Sequence, residues 1–136
     1  MERYEARDCI FSSPENDVFL HHALDRYTNS PVILKFIKAS NVYEMNIIRK
    51  EIDNHIRVNA HPYICKIYDS FQIPDLANSP QGSFLVLVLE QCISDLDKLR
   101  TSNSSPKQYF EESYLWKLLH KCVEALAYAQ DFVRTK

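Results

Sequence analysis

Pro31-Val32-Ile33-Leu34-Lys35-Phe36-Ile37 is the stretch on which the reading of this chain turns. Branched and aromatic residues make it a strand, and Lys35 sits inside it. An ammonium half-enclosed by apolar neighbours calls for an anionic partner, because leaving a charge unpaired away from water is costly. A strand lysine whose stem carries its charge out to solvent is the plainer alternative. Glu51 lies sixteen residues further on, within a helical pattern, and supplies a carboxylate for the first reading. As an i,i+4 neighbour of His55 it also has a local role open to it.

Upstream, residues 4–11 and 18–24 read as short strands separated by Ser12-Ser13-Pro14-Glu15-Asn16-Asp17, and 25–30 as a turn into the strand 31–38. Downstream, Asn41 with Glu44 three residues on is a capping-box pattern. Met45, Ile48, Ile52 and Ile56 then recur at helical spacing, with Glu51 on the flank of that stripe beside Ile47 and Val58. Residues 64–71 and 84–89 read as two more strands, joined by a loop over 73–83 that holds two prolines and Gly82. A short helix is expected over 95–100 and a polar break over 101–107. The longest helix, over 109–130, carries Leu115, Leu118, Leu119, Cys122 and Leu126 on one face. That face is expected to pack in a helical lobe or to stand open to a partner. The class is α+β: a five-stranded antiparallel sheet with one packed helix, then further helices.

The 136 residues suffice for a buried core without staples. A formal net charge of -2 and scattered basic residues argue against a nucleic-acid or anionic-membrane surface. No apolar run approaches membrane-spanning length, and the charged start Met1-Glu2-Arg3-Tyr4-Glu5 is unlike a signal peptide. Cys9, Cys65, Cys92 and Cys122 are far apart and lie in or beside apolar segments, as free buried thiols do. Neither they nor the histidines have zinc spacing, so no metal site is expected. An intracellular setting, cytoplasmic or nuclear, follows. Gly82 is the only glycine, so any positive-φ position must fall to Asn or Asp.

The order of elements and these residues resemble the small N-terminal lobe of a eukaryotic protein kinase, over residues 1–92 with the hinge, followed by a partial helical C-lobe over 93–136. Val32-Ile33-Leu34-Lys35 is similar to the family's VAIK segment, and Glu51 to the helix glutamate that pairs with its lysine. Asn59-Ala60-His61-Pro62-Tyr63-Ile64-Cys65-Lys66-Ile67-Tyr68 is similar to the family's L-x-HPNIVKLY run. The resemblance implies ATP as cofactor, with Lys35 on its α and β phosphates and Ile10, Val18 and Ile33 around the adenine. It further implies Leu89 as gatekeeper, Glu90 and Cys92 as hinge, and Asp95 near the ribose. From the residues alone, Asp95 reads more readily as a helix N-terminal charge than as a ribose ligand. The hinge and Asp95-Leu96-Asp97-Lys98-Leu99 lean toward serine/threonine kinases.

The departures are as informative. The family's glycine loop aligns with 10–18, where Phe11, Ser13 and Asn16 replace its three glycines; Pro14 lacks an amide donor, and Glu15 and Asp17 add negative charge. Ile33 replaces the alanine that lies on adenine. The 136 residues hold neither the HRD motif with its base nor the DFG motif with its Mg²⁺ ligand, so no catalytic residue is assigned and no phosphotransfer is expected from this chain alone. The expectation is a partial kinase-like domain with a degenerate nucleotide site. A fragment of an active ATP-dependent serine/threonine kinase and a non-catalytic, pseudokinase-like module binding a protein through its helical face are the alternatives, with a decayed gene product a third.

Overall fold

A computed structural model describes residues 2–13, 15, 17–74, 82–102 and 110–134. The elements run β1 (Tyr4–Ser13), β2 (Val18–Asp25), β3 (Ser30–Ala39), α1 (Val42–Arg57), β4 (Ile67–Pro74), β5 (Ser83–Glu90), α2 (Leu96–Ser102) and α3 (Glu112–Arg134). They form two compact units. One holds Met1–Asn59 with Lys66–Gln91, and the other Ala60–Cys65 with Cys92–Lys136.

The first unit is a five-stranded sheet in the order β1-β2-β3-β5-β4, antiparallel throughout. Opposed residues on neighbouring strands share a face, so the register divides the side chains into two sets. Val32 and Leu34 of β3, with Val86 and Val88 of β5, point to an inner face and join Tyr4 and Ala23 in one core cluster. Leu85 and Leu87 of β5 point the other way and pack with Ala39, Ile67, and Met45 and Ile52 of α1. Both faces of β5 are therefore covered, which explains its unbroken apolar run Phe84-Leu85-Val86-Leu87-Val88-Leu89. A register shift between Ile67 and Asp69 changes the phase of β4. Ile67 lies beside Leu89 on the α1 side, whereas Phe71 and Ile73 pack on the inner cluster.

The inner face is closed by the sheet itself. Tyr4 of the β1 edge stacks on Phe71 of the β4 edge, rings 5.8 Å apart and 3° from parallel. Its hydroxyl donates to Asp69 at 2.9 Å. Arg3 binds Asp25 through two hydrogen bonds of 3.1 and 2.7 Å and lies 3.8 Å from Asp69. The Arg3 guanidinium holds the Asp25 carboxyl at about 2, against the opposing pull of burial. Burial, with the Asp69 hydrogen bond, pushes the Tyr4 phenol up to about 12. A carboxyl depressed in the fold stabilises it above the unfolded value, about pH 4. That contribution disappears as pH falls through about 2. Melting temperatures measured across this acid window should fall in the native chain and vary less in Asp25→Asn. Parallel curves would remove Asp25 from the acid response.

α1 begins as the Asn41/Glu44 pattern predicts. The Asn41 side chain accepts from the Glu44 amide at 2.9 Å, and the Glu44 carboxylate accepts from the Ser40 amide at 2.8 Å. Met45 and Ile52 of the expected stripe are buried and Ile48 half-buried, but Ile56 stands at 46% exposure, beyond the reach of the sheet. Among the described residues the positive-φ positions fall where the shortage of glycine sends them, on Asp17 (52°) and Asn29 (54°). Short polar side chains tolerate that region best among residues with a Cβ.

Several boundaries differ from expectation. β4 starts at Ile67 rather than 64, because His61–Ile64 closes a turn through the Ile64 amide and the His61 carbonyl, 3.2 Å apart. Ile73, Pro74 and Ser83 are strand rather than loop; Gly82 lies outside any element as expected, and 75–81 are outside the described residues. Thr101 and Ser102 continue α2, where the Thr101 hydroxyl bonds the Asp97 carbonyl at 3.0 Å; residues 103–107 of the expected break are not among those described. α3 starts at Glu112, not 109, and runs past 130 to Arg134.

In the second unit α3 has two different faces. Leu118, Ala125, Tyr128 and Ala129 are half-buried, and Tyr128 packs on His61 at 4.9 Å between ring centroids. Leu115, Trp116, Leu119, Val123 and Leu126 form an open stripe, 46–65% exposed. All four cysteines are exposed rather than buried, because the apolar segments beside them turn other residues inward.

Candidate functional site

β3 positions Lys35 at the centre of the sheet, opposite Leu20 of β2 and Leu87 of β5. Alternation puts Ile33 and Ile37 on the same face. Ile33 is flanked by His22 and Leu89, and Ile37 by Val18 and Leu85. Val18, Ile33, Lys35 and Leu89 therefore share one face of the sheet, and Leu87 beside Lys35 belongs to the cluster packed on α1. Lys35 is half-buried and Glu51 exposed. Glu51 sits on α1, on that same side of the sheet, but among the described residues neither side chain makes an ion pair.

Ile10 falls within a register shift of β1, between Cys9 opposite His21 and Phe11 opposite Leu20. Phe11, opposite Leu20, lies on the face of Lys35, where it stands 51% exposed. Phe11 and Leu20 were not anticipated as lining residues. Alternation from Tyr4 already assigns Phe11 to this face. The two register shifts of β1, between Ala6 and Cys9 and between Cys9 and Phe11, each change the phase and together restore it. They decide its partner, Leu20, and not its side. Pro14 and Asn16 of the loop lie outside the described residues.

At the end of β5, Glu90 clamps the start of β4. Its amide donates to the Lys66 carbonyl at 2.9 Å, and its carboxylate accepts from the Lys66 amide at 3.1 Å. Asn59, just after α1, does the same for Ile67. Its side-chain amide gives to the Ile67 carbonyl and its oxygen takes from the Ile67 amide, both at 2.8 Å.

The second unit holds the other two candidates. Cys92 is exposed, outside any element, before α2. Asp95 caps α2, accepting from the Lys98 amide at 2.7 Å, so the helix-capping role is occupied. The His61-Pro62-Tyr63 turn packs within this unit. His61 contacts the rings of Tyr63 and Tyr128, and Lys121 lies over Tyr63 at 5.2 Å. Among the described residues no group of three or more His, Cys, Asp or Glu could hold a metal. No helix among them is long and apolar enough to cross a membrane.

No protein-family profile matches the sequence, and no curated protein matches it. Among solved structures, the autoinhibited serine kinase domain of the giant muscle protein titin is similar, with a TM-score of 0.72 at 22% identity over 96% of this chain. The fold is protein-kinase-like. The kinase-like chain spans 36% of the length of that titin domain. Its five-stranded antiparallel sheet with following helices is the α+β arrangement of a kinase N-lobe.

Proposed function

We propose that this chain is a partial protein-kinase-like domain with a degenerate nucleotide site, performing no phosphotransfer alone. The observation that carries this reading is the crowding around Lys35. Phe11 stands on its face where the kinase pattern has glycine, and Ile33 opposes Leu89 where the pattern has alanine against the gatekeeper. A phosphate approaches backbone amides closely only where no side chain fills the space. These residues do not fit ATP held in the kinase manner. Among the described residues Lys35 and Glu51 make no ion pair, which supports the same reading.

A non-catalytic role with a protein partner is the second reading, favoured by the open stripe of α3. Four thiols without a disulfide among them suit a reducing, intracellular compartment, cytoplasmic or nuclear.

Thermal melting with ATP–Mg²⁺ tests the nucleotide reading. At about 1 mM ligand, a site with a Kd of about 10 μM adds about 2.7 kcal/mol. That corresponds to roughly 10 °C in melting temperature for a chain of this size. The expected shift is below about 1 °C, well under that mass-action value. A large shift that Lys35→Ala abolishes would overturn the proposal and restore the reading as the ATP-binding half of an active serine/threonine kinase.

A further inference from the structure

The two edge strands of the sheet, β1 and β4, are four positions apart in strand order yet touch through two adjacent residues, Arg3 and Tyr4. Tyr4 is the single fully buried residue of β1; from Glu5 to Ser12 the strand is exposed. The attachment of β1 to the inner core is therefore concentrated at its first residue. Arg3 organises that point. It grips Asp25 with two hydrogen bonds, lies between the Tyr4 and Tyr27 rings at 5.0 and 5.3 Å, and reaches Asp69. Its carbonyl is tied to the Arg26 amide at 2.9 Å.

β4 in turn carries α1. The Asn59 side chain grips Ile67, and Arg49 donates to Gln72 at 2.7 Å. We propose that Arg3 and Tyr4 act as a detachable strap that fastens β4, and with it the C-terminal end of α1, to the far edge of the sheet. The contacts that reach β4 end on Asp69, whose side chain is 40% exposed, and such polar contacts open more readily than the core cluster to which Tyr4 itself belongs. Release would free β4 on its inner face while leaving β3 paired to β5, whose Leu34, Val86 and Val88 are fully enclosed. α1 carries Glu51, so the strap sets how firmly that carboxylate is held on the side of the sheet where Lys35 lies. The strap itself does not depend on the nucleotide reading.

Amide hydrogen exchange on the full chain tests this. In Arg3→Ala, amides of 67–74 and 55–59 should exchange about tenfold faster, while those of 85–88 stay within about twofold of the native rate. Tyr4→Phe, which keeps the ring stack and loses only the hydroxyl bond to Asp69, should show the same pattern more weakly and guards against misfolding of the first variant. A uniform acceleration across β3, β4 and β5 would reduce the strap to ordinary stabilisation and overturn the proposal. Unchanged exchange in 67–74 would overturn it as well.

Discussion

Leu34→Ala is expected to destabilise the first unit by about 3 kcal/mol, because large-to-small changes at a closed core position lose both transfer energy and packing around a cavity. Leu34 is fully enclosed on a central strand, opposite Val88 and beside Val32 and Val86 of the inner cluster. Val32, Val86 and Val88 enclose Leu34 on strands held in register, so relaxation is limited and a cavity remains. Thermal or urea unfolding followed through the sheet signal measures the loss, with a drop in melting temperature of roughly 10 °C. Ile10→Ala, at an exposed bulge, serves as the comparison and should change stability by less than about 0.5 kcal/mol. A Leu34→Ala cost as small as that would show that the inner face is not the core of this unit.

Asn59→Ala is expected to cost about 2 kcal/mol, more than its modest size suggests, because it strands two backbone groups at once. Ile67 is 6% exposed and opens an edge strand, so its outward amide and carbonyl have no further strand to pair with. The Asn59 carboxamide substitutes for that strand, offering one acceptor and one donor at the spacing of a peptide group. Urea unfolding gives the energy, and hydrogen exchange at the Ile67 amide reports the bond directly. A loss below about 0.5 kcal/mol with Ile67 still protected would mean that other groups take over both bonds.

Local chemistry was the legible part of this chain. The Asn41/Glu44 cap, the apolar strand around Lys35 and the assignment of positive φ to Asp and Asn were all readable because each depends on residues within a few positions. The start of β4 was misplaced because Ile64-Cys65-Lys66-Ile67 has strand-like composition throughout, while the His61–Ile64 turn that delays it is sealed by a backbone bond. The open side of α3 and the exposure of Ile56 depend on where neighbours end, which periodicity does not report. The closure of the inner face was hidden for a different reason. Tyr4 and Asp69 are 65 positions apart, and nothing in either local sequence marks them as partners. Phe11 shows a related limit at the candidate site: alternation gives its face, but two register shifts in β1 decide that it stands opposite Leu20, and nothing in the local sequence marks them.

Gly82 adopts no left-handed conformation, and the two residues that do among those described, Asp17 and Asn29, both carry a Cβ. A chain so poor in its freest residue explores fewer backbone arrangements before it folds, and so surrenders less disorder on reaching the sheet. The small energetic penalty at two turns is set against a narrowing of the starting ensemble that extends along nearly the whole polypeptide.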